Sequence, residues 1–449
     1  MTTEHFDAVV LGMGPGGETV AGRLLSAGKR VAVVERELIG GECAYWACIP
    51  SKTLLRPPEA QEGADRAAGT SRPDLDWDEL RSYRDYMVRQ LDDSGVSDGY
   101  AQQGATVVRG EGRIAGPGVV EVDGRRLETD HIVVATGSDA VIPPVPGLDD
   151  VGVWTNREAT TLNELPARAV LIGGGPVGIE LGQFLARFGT QVAIVQSAER
   201  LINREDPEVG RLVQEMLERD GIEVRVGCRL VGARRSDGDV VLHLDDGTEL
   251  HTDEVVIGVG RQPRVEDIGL ETLGVEPSVD GLTIDDRCRV TEGVWAVGDV
   301  TGVLPFTHVA QYQGRVVTDN ICGKERRASY DGIPRVVFTS PEIAAVGLTS
   351  AQALEQGLDA ATATVDLAES IARPWTYERD PRGHLGIVVD RRAGLLMGAW
   401  AVAPLAGEWI HQAALAIRAA VTLSTLLDGI AQFPTYSEAY LAALEQLES

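Results

Sequence analysis

Cysteine, histidine and basic side chains are all scarce in this chain. Its 449 residues hold five cysteines and seven histidines, and 41 lysines and arginines stand against 68 aspartates and glutamates, a net charge of -27. Five cysteines cannot staple a chain of this length, which excludes a disulfide scaffold. The acid excess leaves no basic patch for nucleic acid or an anionic membrane, and describes a solvated surface rather than a substrate. No apolar run approaches the ~20 residues of a membrane span. Residues 1–6 carry neither the basic region nor the cleavage site of a signal peptide. The expectation is a cytoplasmic protein of about three domains that acts on a small molecule.

What is present is glycine at the ends of apolar strands. Residues 6–11 form a short apolar strand that runs into Gly12-Met13-Gly14-Pro15-Gly16-Gly17 and a helix over 18–27. The next strand, 30–34, ends on Glu35, 18 residues past the last glycine of the motif. In such a unit Gly12 makes the tight turn, Gly14 lets the backbone approach a pyrophosphate, Gly17 allows close helix packing, and Glu35 accepts from a ribose hydroxyl. The pattern repeats: a strand at 169–172, Gly173 to Gly178 with Gly175 between, a helix to 188, and a strand at 191–195. Gln196 stands where the first unit has Glu35. An acid there would repel a 2′-phosphate; Gln196 removes the repulsion, and Arg200 or Arg204 could reach that phosphate, which tilts the second site toward NADPH.

Between the two units lies Gly41-Glu42-Cys43-Ala44-Tyr45-Trp46-Ala47-Cys48-Ile49-Pro50-Ser51-Lys52. Ile-Pro-Ser-Lys reads as a helix start, and a thiol at a helix N-terminus is shifted toward the reactive thiolate. The alternatives are a structural disulfide or half a metal site, but no second Cys/His pair follows. Two dinucleotide sites beside a cysteine pair suggest electron relay from a nicotinamide through a flavin to sulfur. Cys228, Cys288 and Cys322 show no pairing pattern.

The remaining chain supplies further strand ends. Residues 77–91 read as an exposed helix and 105–127 as alternating strands. A buried strand closes on Ala135-Thr136-Gly137, and Pro143 to Gly147 reads as a linker. An apolar strand ends at Gly260, and another at Gly298-Asp299, where the aspartate is placed to hold a ligand hydroxyl or a flavin tail, or is a simple turn residue. From 334 onward the pattern becomes that of a separate α+β domain, with a strand at 335–338, an apolar helix at 407–421 and a tail, Phe433-Pro434-Thr435-Tyr436-Ser437-Glu438, entering a short amphipathic helix.

Taken together, these motifs resemble, essentially end to end, the flavoprotein disulfide reductases, the family of dihydrolipoamide dehydrogenase, glutathione reductase and mercuric reductase. The resemblance implies an α/β fold with two Rossmann-like domains and a C-terminal α+β dimerisation domain. Its divisions would be 1–148 (FAD, first part), 149–262 (NAD(P)), 263–328 (FAD and central, second part) and 329–449 (interface). It implies that Gly12, Gly14, Gly17 and Glu35 hold the FAD adenosine half, with Ala135, Thr136 and Gly137 nearby and Asp299 on the ribityl chain. Gly173, Gly175, Gly178, Gln196 and Gly260 would serve NAD(P)H. Lys52 and Glu180 would pair beside the flavin, Cys48 would face it, and Cys43 would meet the substrate. The family is homodimeric, with each site completed by the partner's tail.

The tail departs from that pattern. Disulfide-reducing members carry His-Pro-Thr with a glutamate four residues after the proline; here the histidine position is Phe433, while Glu438 remains. Phenylalanine cannot move a proton, and losing a general acid costs roughly 100- to 10,000-fold in a proton-coupled step. His308, His411 and Tyr436 are poor substitutes by sequence. A C-terminal cysteine pair of the mercuric reductase kind is absent from Glu445-Gln446-Leu447-Glu448-Ser449. The expected activity is transfer from NAD(P)H through flavin and the Cys43–Cys48 pair to a disulfide or another thiolate-accessible substrate. The alternatives are direct quinone reduction at the flavin, or a reaction like that of 2-ketopropyl coenzyme M carboxylase/oxidoreductase, which also places phenylalanine here but follows it with a histidine where this chain has Glu438. Tyr45 and Trp46 would narrow access, stack on an aromatic substrate, or pack.

Overall fold

The computed structural model describes residues 4–236 and 238–448. The chain divides into two compact units, each assembled from separate stretches: Met1–Pro50, Ser82–Val141 and Gly260–Ser329 form the first, and Ser51–Arg81, Ile142–Val259 and Tyr330–Ser449 the second.

At the centre of the first unit, strand Glu4–Leu11 lies between Val31–Glu35 and Arg125–Val134, parallel to both. Thr106–Arg109 extends the sheet on one side and Val294–Ala296 on the other. From Ala8 to Leu11 the central strand is wholly apolar and buried, because both of its faces are covered there. Val9 and Leu11 join one cluster with Ala32, Val34 and Ile132, while Ala8 and Val10 join another with Val20, Leu24 and Val133. Such a sheet presents its ligand crevice at the carboxyl ends of the strands, where neighbouring connections diverge.

The second unit contains its own parallel sheet, in the order Glu223–Val226, Gln191–Gln196, Arg168–Ile172, Glu254–Ile257. A three-stranded antiparallel sheet follows, and a five-stranded antiparallel sheet begins at Pro334–Val337. Helix Glu438–Glu448 and the segments Ala406–Trp409 and His411–Arg418 pack on one face of the last sheet through Trp409, Ala413, Tyr440 and Leu444. Across strands, Gly386 pairs with Trp400, and a Cβ at 386 would meet the indole at 2.2 Å. No helix among the described residues is long and apolar enough to cross a membrane.

Two expectations need correction. The apolar helix expected over 407–421 is two short helices that meet at Ile410. The helix expected over 77–91 ends at Met87. Beyond it Arg89, Gln90 and Leu91 all take left-handed backbone angles, with φ of 53°, 53° and 58°. Hydrophobic spacing cannot signal three non-glycine residues in that region, each of which costs about 1–2 kcal/mol. The helix that opens at Cys48 runs on to Arg66 through Pro57 and Pro58, where propensity would end it. Replacing exposed Gln90 with glycine relieves one left-handed residue. Gln90→Gly should therefore raise the thermal midpoint by about 1–3 °C, after the added freedom of the unfolded chain is discounted. An unchanged or lower midpoint in a melting scan would show that this turn stores no strain.

Candidate functional site

Both glycine-rich loops are built in the same way. Gly12 has φ +92°, and a Cβ there would sit 2.4 Å from the Ala135 carbonyl oxygen; Gly173 has φ +115°, and its Cβ would sit 2.4 Å from the Gly258 carbonyl oxygen. A Cβ on Gly17 or Gly178 would fall 2.0 Å from the carbonyl oxygen of Gly12 or Gly173 respectively. Gly14 and Gly175, by contrast, face open space, and a Cβ on either would meet nothing within 4 Å. Each then opens a helix, Pro15–Ser26 or Pro176–Arg187, whose first turn no side chain caps. The first and third glycines are thus needed for the fold, and the middle one leaves a helix N-terminus open, a feature suited to an anionic group such as phosphate. The residues at both loops fit a dinucleotide.

The residues at 35 and 196 occupy equivalent places. Glu35 accepts from the Met13 amide at 2.7 Å and the Glu37 amide at 2.8 Å, which ties its own loop; a carboxylate has about four acceptor positions, so ribose hydroxyls can still be received. Gln196 accepts from the Gly174 amide at 3.2 Å. Arg200 donates to the carbonyls of Asn203 (3.0 Å) and Glu205 (3.4 Å) and so serves its own loop, whereas Arg204 is exposed.

The cysteine stretch is stitched to the first loop. The Gly40 amide donates to the Met13 carbonyl at 2.7 Å, and a Cβ on left-handed Gly41 would meet the Gly14 Cα at 2.9 Å. Cys43 lies on the short helix Gly41–Tyr45, and Cys48 is itself the first residue of Cys48–Arg66. Both are half-buried. Thr307, the first residue of helix Thr307–Ile321, donates its hydroxyl to Cys43 Sγ at 3.1 Å and lies 3.5 Å from Cys48 Sγ. Sequence reading missed Thr307; its only signal is a hydroxyl residue opening the helix that follows Gly298-Asp299. Tyr45 is fully buried, donating to the Ile39 carbonyl and accepting from Arg89, so it packs rather than facing a substrate.

Asp299 accepts from Ser138, whose Oγ also receives Arg261 Nε at 2.7 Å. Thr136 donates to the Arg264 carbonyl at 2.6 Å, and Gly137 accepts from the Arg264 amide. Ala135-Thr136-Gly137 is therefore bound to the segment that follows Gly260, whose carbonyl receives the Val141 amide at 3.0 Å.

In the second unit, Lys52 Nζ donates to Glu180 Oε2 at 2.6 Å, and the other Glu180 oxygen accepts from the Phe338 amide at 2.9 Å. Lys52 also lies 4.8 Å from the centre of the Phe338 ring. Glu180 is buried and has a hydrogen-bond partner on each oxygen, so it holds the lysine ammonium in one place, unlike a mobile surface bridge.

In the tail, the side chains singled out by sequence are placed as follows. Phe433 is 75% exposed, and Glu438 accepts from the Thr435 amide at 2.8 Å, so this carboxylate braces its own turn. Tyr436 is buried against Trp409, and burial pushes its hydroxyl well above the ordinary tyrosine range. His308 and His411 are both exposed, with His308 stacked on Phe306.

Two dinucleotide cradles on one chain define a nucleotide-dependent oxidoreductase. More particularly, the chain belongs to the pyridine nucleotide-disulphide oxidoreductase family, which matches residues 6–314, with the family's dimerisation domain matching 333–444. It is 34% identical to a mercuric reductase of Streptomyces lividans, over 99% of this chain and 96% of that one. It is also 34% identical to a dihydrolipoyl dehydrogenase of Thermus scotoductus, over 98% and 97%. Among solved structures, the Cu(II) complex of the HOCl-induced flavoprotein disulfide reductase RclA from Escherichia coli superposes with a TM-score of 0.87 at 28% identity, covering 98% of each chain. Enzymes of this family use FAD and NAD(P)H, and the protein is an enzyme of that class.

The two kinds of glycine can be separated experimentally. Gly175→Ala should leave the melting temperature and FAD content unchanged while weakening NAD(P)H binding at least tenfold in a fluorescence titration. Gly173→Ala should lower the melting temperature itself, because its Cβ meets backbone. Equal behaviour of the two variants would contradict this division of labour.

Proposed function

We propose that the protein is an FAD-dependent NAD(P)H oxidoreductase in which Cys43 and Cys48 relay an electron pair to a thiolate-accessible acceptor. The observation that carries the proposal is the convergence of both sulfurs on one hydroxyl, that of Thr307. In this reading Gly12, Gly14, Gly17 and Glu35 hold the adenosine half of FAD, with Ala135, Thr136, Gly137 and Asp299 along the remainder. Gly173, Gly175, Gly178, Gln196 and Gly260 serve the nicotinamide nucleotide, and Gln196 favours NADPH by removing an acid from the 2′ position. The domain divisions follow as 1–148 and 263–328 for FAD, 149–262 for NAD(P)H and 329–449 for the interface. Bound there, FAD supplies the two-electron step between nicotinamide and disulfide. Lys52, held by Glu180 and the Phe338 ring, keeps a positive charge in a fixed orientation. Cys48, at a helix N-terminus, is favoured as thiolate.

The match to the dimerisation domain supports a homodimer with shared sites, in which the exposed side chains of Ile430 and Phe433 are covered by a second copy. Phe433 then shapes the acceptor class. With no acid to protonate a leaving thiol, the site suits acceptors that need no proton at Cys43. An acceptor whose reduction releases no protonated thiol, such as the Cu(II) of the RclA complex, meets that condition better than a linear disulfide. A second reading, direct quinone reduction at the flavin with the cysteines secondary, is favoured by the same exposed Phe433.

NADPH and NADH oxidation by wild type and Cys43→Ser, measured against disulfides, quinones and soft metal ions, separates these readings. Turnover that is lost in Cys43→Ser supports the sulfur relay; quinone turnover that survives unchanged assigns the work to the flavin. Separately, Phe433→His should raise disulfide turnover by about tenfold or more, with the gain following a single ionisation near neutral pH. No gain would mean that proton delivery does not limit this site.

A further inference from the structure

We infer that Thr307 is a catalytic proton relay between the two sulfurs, an inference that rests on Cys43 and Cys48 being the redox pair. A threonine hydroxyl has one proton to give and two lone pairs to receive with. It donates to Cys43 Sγ at 3.1 Å and lies 3.5 Å from Cys48 Sγ, within range for a sulfur hydrogen bond. One hydroxyl cannot donate to both sulfurs. Both contacts are hydrogen bonds at once only when one sulfur carries a proton and donates to Thr307 while the other accepts from it.

That is the protonation state left by two-electron reduction. When one equivalent of NAD(P)H opens the disulfide, the S–S bond breaks, the hydride supplies both electrons, and its proton remains on the pair. The products are NAD(P)⁺, one thiol and one thiolate. In the chain S–H···O–H···S⁻, a concerted shift of two protons through Thr307 moves the thiolate from one cysteine to the other without drawing a proton from outside the pair. The place of Thr307 on the first turn of a 15-residue helix adds the positive end of the dipole to whichever thiolate is present. With Phe433 unable to exchange a proton with Cys43, this internal relay is the route by which Cys43 becomes the nucleophile while Cys48 takes the proton. It requires neither solvent nor a second titratable side chain.

The test uses the FAD-loaded enzyme reduced with a phosphine, so that it does not depend on NAD(P)H delivering electrons. Iodoacetamide labelling of Cys43 and of Cys48 is followed by peptide mass spectrometry in wild type, Thr307→Val and Thr307→Ser at one fixed pH. FAD content and melting temperature serve as folding controls. Thr307→Val should slow Cys43 alkylation at least tenfold and concentrate reactivity on one sulfur, and Thr307→Ser should restore wild-type rates within about twofold. A shift in the midpoint potential of the cysteine pair in Thr307→Val but not in Thr307→Ser is expected alongside. Equal alkylation in wild type and Thr307→Val, or failure of Thr307→Ser to rescue, overturns the relay. If instead NAD(P)H fails to generate thiols that the phosphine does generate, the proposed function fails while the role of Thr307 stands.

Discussion

The first unit depends on two close backbone approaches, that of Gly12 to the Ala135 carbonyl and that of Gly17 to the Gly12 carbonyl. These contacts leave no room for a Cβ at either position and so fix the path of the loop that leaves the central strand. The Met13 carbonyl then anchors Gly40, and Gly14 backs onto Gly41, so the cysteine stretch inherits its position from the same loop. Thr307 reaches both sulfurs from the helix that follows the strand Val294–Ala296. The first glycine-rich loop and the cysteine stretch are therefore parts of one backbone construction.

The polar groups divide by how completely they are satisfied. Glu35 and Glu180 each have backbone or lysine partners on both oxygens, and neither depends on a ligand to be stable where it is. The hydroxyls of Tyr436 and Tyr440 are buried without a hydrogen-bond partner, and burial pushes both away from physiological titration. This part of the tail thus offers aromatic packing, Tyr436 stacking on Trp409 and Tyr440 meeting it edge-on.

Much of this was legible in the sequence. Both Gly-x-Gly-x-x-Gly loops, the cysteine stretch and the equivalence of Glu35 with Gln196 follow from short-range spacing, which local backbone geometry dictates. The pairing of Lys52 with Glu180 was reached only through family resemblance, since 128 residues separate them. Thr307 was missed for the same reason: it is 264 residues from Cys43, and a lone threonine at a helix start has an ordinary capping explanation. The break at Ile410, the left-handed run at 89–91 and the helix that continues through Pro57 and Pro58 are cases where tertiary packing overrode propensity.

The order in which the chain emerges from the ribosome has a consequence for how the first sheet is finished. Strand Val294–Ala296 completes pairing with Arg125–Val134 roughly 160 residues after its partner has been made, which at about 5–20 residues per second is a delay of roughly 10–30 s. During that interval residues 125–128 are already covered by Val119–Val122, but the apolar end of the same edge, residues 132–134, presents open backbone donors and acceptors. Nascent chains of this protein are thus most vulnerable to intermolecular strand pairing while the second nucleotide unit is still being synthesised, and chaperone demand should concentrate there.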